Sequence, residues 1–142
     1  MILPYKLLHP AAKPPKFSHE TDACFDLTAA VRYDTDGNSR VYDTGLAFQI
    51  PKGYYVELAI RSGLAFSGGF ILANGVGIID SGYIASVKCK LVYLGEGNPD
   101  WPRVGDRIAQ GRLVRLTKTE LQEVQELDET ERGENGLGST GR

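Results

Sequence analysis

The sequence predicts an all-β fold, and three observations carry that prediction. From Tyr83 to Tyr93, residues Ala85, Val87, Cys89, Leu91 and Tyr93 fall on one face and Ser86, Lys88 and Lys90 on the other. That is the period of two expected of a half-buried strand. Turn-forming groups punctuate the chain at Asp36-Gly37, Pro51-Lys52-Gly53, Asn74-Gly75 and Val104-Gly105-Asp106. Only one segment has helical spacing, Leu121, Val124 and Leu127, and about two turns of helix are marginal on their own.

At 142 residues the chain makes one domain, a size that buries about two-thirds of its unfolded surface. The net charge of −2 supplies no basic field, so direct binding to a nucleic-acid backbone is not expected. A few converging arginines could still hold a small anion. Cys24 and Cys89 stand far apart without a Cys-x-x-Cys or Cys/His cluster, and read as free buried thiols in a reducing compartment. The amino-terminal residues show no signal pattern, and no apolar run approaches membrane-spanning length. A cytoplasmic protein with no membrane partner is the expectation.

Taken in order, Ile2 to Leu8 is β-type, with Pro4 confining it to an edge, and Pro10, Pro14 and Pro15 hold an extended connection. Ala23 to Ala30 is a short buried strand interrupted by Asp26, a carboxylate that needs partners if buried. Asp34 to Ser39 is a loop or hairpin tip. Leu46–Ile50 and Tyr54–Ile60 form a second hairpin about Pro51-Lys52-Gly53. Arg61-Ser62-Gly63 follows at once. Ser62 reads either as a helix N-cap or, with Arg61 and helix-terminal amides, as an anion site. Gly95 to Pro102 is a loop holding the only Trp. Arg107 to Leu116 is a strand whose arginines mostly read as a solvated face.

Leu72 to Tyr83 is the stretch around which the rest is arranged. Asn74-Gly75 signals a type I′ hairpin turn, in which both central residues take positive φ. Glycines at 75 and 77 let backbone amides approach a flat ligand. Such a mouth could read a base edge, with the Asp80 carboxylate activating water and the Tyr83 ring packing on a sugar. The plain alternative is that Asp80 is a turn residue. After Asp128 the composition changes: the glycine-rich run to Arg142 reads either as a disordered end or as a flap supplying Arg, Ser, Thr and amides to phosphates. Its roughly 15 residues reach on the order of 50 Å when extended, enough to meet a neighbouring subunit.

Five segments in this order resemble the five motifs of the trimeric dUTPase family: Ala23–Ala30, Arg61–Ala65, Leu72–Tyr83, Gly105–Gln110 and Arg132–Gly141. Arg-Ser-Gly-Leu-Ala, Ile-Ile-Asp-Ser-Gly-Tyr and a terminal Arg-Gly-x-x-Gly-x-Gly-Ser-Thr-Gly are specific in combination. The resemblance implies a distorted β-barrel or jelly roll over residues 1–127, assembled as a homotrimer. A flexible arm, residues 128–142, would close over active sites shared between subunits. It also implies that Leu121 to Leu127 is extended against a neighbouring chain and not helical.

The implied reaction is hydrolysis of dUTP to dUMP and pyrophosphate with Mg²⁺, limiting uracil in DNA and supplying dUMP. Carried over by position, Asp80 would orient and deprotonate the attacking water. A carboxylate is a weak base, so in-line positioning and charge neutralisation must do most of the work. Asn74 and the backbone through Gly77 to Ile79 would read uracil, and Tyr83 would exclude a 2′-hydroxyl. Arg61, Ser62, Gly63 and Gln110 would hold phosphate oxygens. Asp26 would reach the metal through water, or order the arginines around the phosphates. Arg132, Gly138, Ser139 and Thr140 would clamp the γ-phosphate, with Leu137 covering the base.

Three departures from the family's pattern stand out. Leu137 replaces a usual aromatic, and Asn135 and Cys24 replace usual glycines. The competing reading within the fold is a dCTP deaminase, which would need a pocket glutamate, and Ile84 to Tyr93 has none. A regulatory role with a protein partner is a third reading, which the sequence leaves open.

Overall fold

The computed structural model describes residues 1–35, 37–131 and 133. Ten strands run through them: β1 (Tyr5–Leu7), β2 (Phe25–Thr28), β3 (Val31–Asp34), β4 (Ser39–Asp43) and β5 (Leu46–Phe48), then β6 (Tyr54–Ile60), β7 (Phe70–Leu72), β8 (Gly77–Asp80), β9 (Lys88–Tyr93) and β10 (Arg107–Arg115). One π-helical turn, Gly63–Ser67, joins β6 to β7.

The strands form two four-stranded sheets, ordered β2-β10-β6-β8 and β3-β4-β9-β7, with β1 and β5 as a separate pair. Every pairing is antiparallel. Both large sheets contribute to one hydrophobic core: Leu27, Val56, Leu58 and Ile108 from the first, Tyr42, Phe70, Leu72 and Leu91 from the second. Along β6, β8 and β9 alternation puts the apolar residues inward while Glu57, Ile78 and Lys90 face away. The architecture is the all-β jelly roll that the sequence predicts.

The hairpins predicted about Asn74-Gly75 and Pro51-Lys52-Gly53 take a different form. Gly75 has φ 69° but no non-glycine residue among the described residues has positive φ, Asn74 included, so the turn is not type I′. Its flanking strands do not pair with each other either, because β7 joins β9 and β8 joins β6. Asn74-Gly75 carries the chain from one sheet to the other. The Pro51-Lys52-Gly53 turn closes as expected, with Tyr54 N donating to Pro51 O at 3.1 Å and Gly53 at φ 82°. Yet β5 pairs with β1 and β6 with β10 and β8. A local turn signal specifies reversal of direction. Which strands then pair is a matter of where each apolar face can be buried.

The strand predicted from Tyr83 begins only at Lys88. Before it, Val87 bonds to the β4–β5 turn: its N–H donates to Leu46 O at 2.8 Å, and its carbonyl accepts from Thr44 N at 3.0 Å. Leu121 to Leu127 contains no helix, and Leu121 and Leu127 are almost fully exposed.

Tyr42, fully buried, donates its hydroxyl to Pro102 O at 2.8 Å, tying the Trp101 loop over the core. Burial pushes the Tyr42 phenol up to about 12 and the Cys89 thiol, also by burial, to about 12. Both groups are neutral in the fold, and the unfolded chain releases these protons near 10 and 9. The unfolded state then binds fewer protons, so stability is full below pH 9 and declines as pH rises toward about 12. Urea denaturation across that window should show the decline, and Cys89→Ala should flatten it. Tyr42→Phe should cost about 1–2 kcal/mol at pH 7, because the Pro102 carbonyl loses its donor.

Candidate active site

Strand register builds a charged cluster at one end of the first sheet. Gln110 of β10 lies opposite Asp26 of β2 on one side and Ala59 of β6 on the other. Arg61, the first residue past β6, therefore reaches Asp26, with Nε 2.7 Å from Oδ1. The β10–β2 register slips between Arg107 and Ala109, a bulge of the kind that re-aims a side chain beside a site. Arg107 Nη1 lies 2.8 Å from Asp26 Oδ2, and Ser18 Oγ donates to the same oxygen at 3.0 Å. Ser18 is brought there by the proline-rich connection, where Asp26 N donates to Lys16 O at 2.8 Å.

Burial alone would raise the Asp26 pKa. The hydrogen bonds from Arg107 and Ser18 and the charge and hydrogen bond of Arg61 outweigh it, holding the carboxyl below its ordinary value. Arg61, Arg107, Ser62, Gln110 and Cys24 line one cleft of about 650 Å³ with Asp26. Gln110 donates through Nε2 to Ile60 O at 3.1 Å. Ser62 stands at the N-cap of the turn that follows, as one of its two readings has it, but its side chain makes no capping bond there. Gly63, next in line, begins the π-helical turn, where a Cβ would meet nothing. Two arginines held in place by one carboxylate, with hydroxyl and amide groups beside them, suit an oxyanion chain.

A second cleft, of about 240 Å³, is lined by Leu58, Asn74, Gly77, Ile79, Asp80, Tyr83, Val87 and Lys88 among others. In β8, Gly77 and Ile79 point inward while Ile78 and Asp80 point out, so alternation exposes the carboxylate. The following turn brings Tyr83 back beside it, Tyr83 N donating to Asp80 O at 3.0 Å. The Tyr83 hydroxyl donates to Ser86 O at 2.9 Å. The structure thus sorts the expected residues into two groups: Asn74, Gly77, Ile79, Asp80 and Tyr83 in one cleft, and Asp26, Arg61, Ser62 and Gln110 in another. Arg132, Leu137, Gly138, Ser139 and Thr140, like Asn135, lie outside the described residues.

Arg107 and Ser18 were not legible as site residues. Arg107 sits in the quoted Gly105–Gln110 segment but reads as one of several solvated arginines, and Ser18 has no motif at all. A Mg²⁺ ion would need carboxylate oxygens with room for it. Both Asp26 oxygens are already engaged by cations, and no group of three His, Cys, Asp or Glu suited to a metal occurs among the described residues. These residues do not build a protein-liganded metal site.

The dUTPase family model matches residues 11–141. The chain is a member of the dUTPase family. It is 40% identical over 136 residues to the deoxyuridine 5′-triphosphate nucleotidohydrolase of Wolinella succinogenes, covering 95% of this chain and 91% of that one. The corresponding protein of Zymomonas mobilis subsp. mobilis is 41% identical over 138 residues, covering 96% and 94%. Among solved structures, the Staphylococcus bacteriophage 80alpha dUTPase with dUPNHPP matches with a TM-score of 0.85 at 28% identity, covering 99% of each chain. The dUTPase from phage phi11 of S. aureus matches with a TM-score of 0.76 at 25% identity, over 92% of this chain and 100% of that one. A variant of the phi11 dUTPase, described for its coordination of a structural Mg(II) ion, shares the fold at 24% identity and a TM-score of 0.76.

Asp26→Asn should lower stability by about 1–2 kcal/mol at pH 7, a modest cost because Arg107 is half in solvent. The depressed pKa also sets a pH window. The stabilisation is present above the ordinary aspartate value of 3.8 and is lost as pH falls below it toward the folded-state value. Urea denaturation at pH 7 and below 4 should show the wild-type advantage over Asp26→Asn shrinking with acid.

Proposed function

We infer that the chain hydrolyses dUTP to dUMP and pyrophosphate, with Asp80 as the group that orients and deprotonates the attacking water. The observation that carries this reading is the division of one protomer into two half-sites. Asp80, Tyr83 and Asn74 line a small cleft with an apolar floor of Leu58 and Val87, suited to a nucleoside. The arginines, Ser62 and Gln110 line a separate polar cleft, suited to a phosphate chain. A homotrimer would join the nucleoside cleft of one subunit to the phosphate cleft of another.

In this reading Asn74 and the backbone from Gly77 to Ile79 meet the uracil edge, and Tyr83 occupies the space a 2′-hydroxyl would need. Arg61, Ser62, Gly63 and Gln110 take phosphate oxygens, and Arg107 joins them. Asp26 holds both arginines rigid before substrate arrives, so little reorganisation is left for the reaction. Residues 128–142 form an arm, in which Arg132, Gly138, Ser139 and Thr140 close on the γ-phosphate and Leu137 covers the base. Mg²⁺ would supply charge neutralisation on the triphosphate oxygens and travel with the substrate, Asp26 meeting it only through water.

Pyrophosphate release in the presence of Mg²⁺ tests the reading with dUTP, dCTP, dTTP and UTP. Wild type should act selectively on dUTP, and Asp80→Asn should lose about 10²–10⁴ in kcat with KM little changed. Ammonia from dCTP would instead indicate deamination. Sedimentation equilibrium should give a mass near three times 15.5 kDa, and a fully active monomer would overturn the shared site.

A further inference from the structure

Strand β4 ends at Asp43, a carboxylate only 8% exposed. Its Oδ1 accepts from Gly45 N at 2.8 Å and from Ser86 Oγ, and its Oδ2 faces Lys88 Nζ at 3.8 Å. Burying a charge is costly, and a turn needs only the first of these bonds. The other two reach across to the segment that walls the nucleoside cleft, where Tyr83, Val87 and Lys88 all contribute to the lining. Asp43 is not among the lining residues. It acts on the cleft from behind.

The segment it reaches has little other support. Residues 81–87 belong to no strand, and Tyr83 is 43% exposed. The phenol is tethered by its hydroxyl to the carbonyl of Ser86, the same residue whose side chain Asp43 holds. Val87 is anchored separately: both the backbone N–H and the hydroxyl of Thr44 donate to its carbonyl, at 3.0 and 2.9 Å. The route from the buried carboxylate to the ring is therefore Asp43, Ser86, Tyr83.

We propose that Asp43 is a positioning residue for sugar discrimination, fixing the Tyr83 ring through Ser86 and steadying the Lys88 side of the same cleft. This rests on the reading of Tyr83 as the ring beside the deoxyribose. An apolar wall rejects an added hydroxyl only weakly when it can yield. Discrimination against a ribonucleotide therefore depends on how rigidly the ring is held.

The test measures kcat and KM for dUTP and UTP in wild type, Tyr83→Ala, Tyr83→Phe, Ser86→Ala, Ser86→Thr and Asp43→Asn, with a thermal melt of each. Tyr83→Ala should narrow the dUTP:UTP ratio of kcat/KM most. Ser86→Ala, a partly exposed site that spares the core, should narrow it by about three- to tenfold, the worth of roughly one hydrogen bond. Ser86→Thr, which keeps the hydroxyl, should restore it, and Asp43→Asn should narrow it in the same direction. Tyr83→Phe cuts the tether at its other end and should add little to Ser86→Ala in the double variant. If Tyr83→Ala narrows the ratio but Ser86→Ala and Asp43→Asn slow both substrates equally as they melt earlier, Asp43 is merely structural and the proposal fails. If Tyr83→Ala itself leaves the ratio unchanged, the reading of Tyr83 fails and takes the proposal with it.

Discussion

The antiparallel register of β10 against β6 is the constraint on which the rest depends. Seven consecutive pairs run from Ala109 opposite Ile60 to Arg115 opposite Tyr54. A slip of one residue would turn Ala109 and Leu113 outward and Gln110 and Arg112 inward. The same register stations Arg61 at the rim of the sheet beside Asp26, and the bulge on the β2 side brings Arg107 to the opposite oxygen. Core packing and site geometry are thus one decision. Ile108 and Ala109 are fully buried, and the polar residues on either side of them have no alternative placement.

The cleft that gathers Arg61 and Arg107 contains an anion between them. Asp26 holds two arginines that would otherwise repel each other and sample many rotamers. Its depressed pKa reflects how strongly they favour its charged form. The arrangement leaves donors on both guanidinium groups for a substrate, since each fork has five and Asp26 uses few.

Much of this was legible in the residues. Val87, Cys89 and Leu91 could be put on one face from alternation alone, and Asp26 could be singled out because a carboxylate inside a buried strand demands partners. Which partners it has could not be read. Arg107 looks like its neighbours Arg112 and Arg115 until the bulge is known, and Ser18 reaches Asp26 only because the proline-rich connection folds back along β2. Asn74-Gly75 and Pro51-Lys52-Gly53 are turns, as their residues predict, but the strands they join do not pair with each other. Turn chemistry is local and strand pairing is not.

The sequence by itself determined the period-two faces, the turn positions and the family, because each depends on residue type at short spacing. It also marked Asp80, Tyr83 and Arg61, since the motifs are contiguous. Only the tertiary structure decided that β7 and β8 part into different sheets and that Asp80 and Tyr83 line one cleft while Asp26, Arg61 and Gln110 line another. It alone disclosed the path from Asp43 through Ser86 to Tyr83, 40 positions apart in the chain. These are long-range pairings, chosen by which faces can be buried together, and no local pattern encodes them.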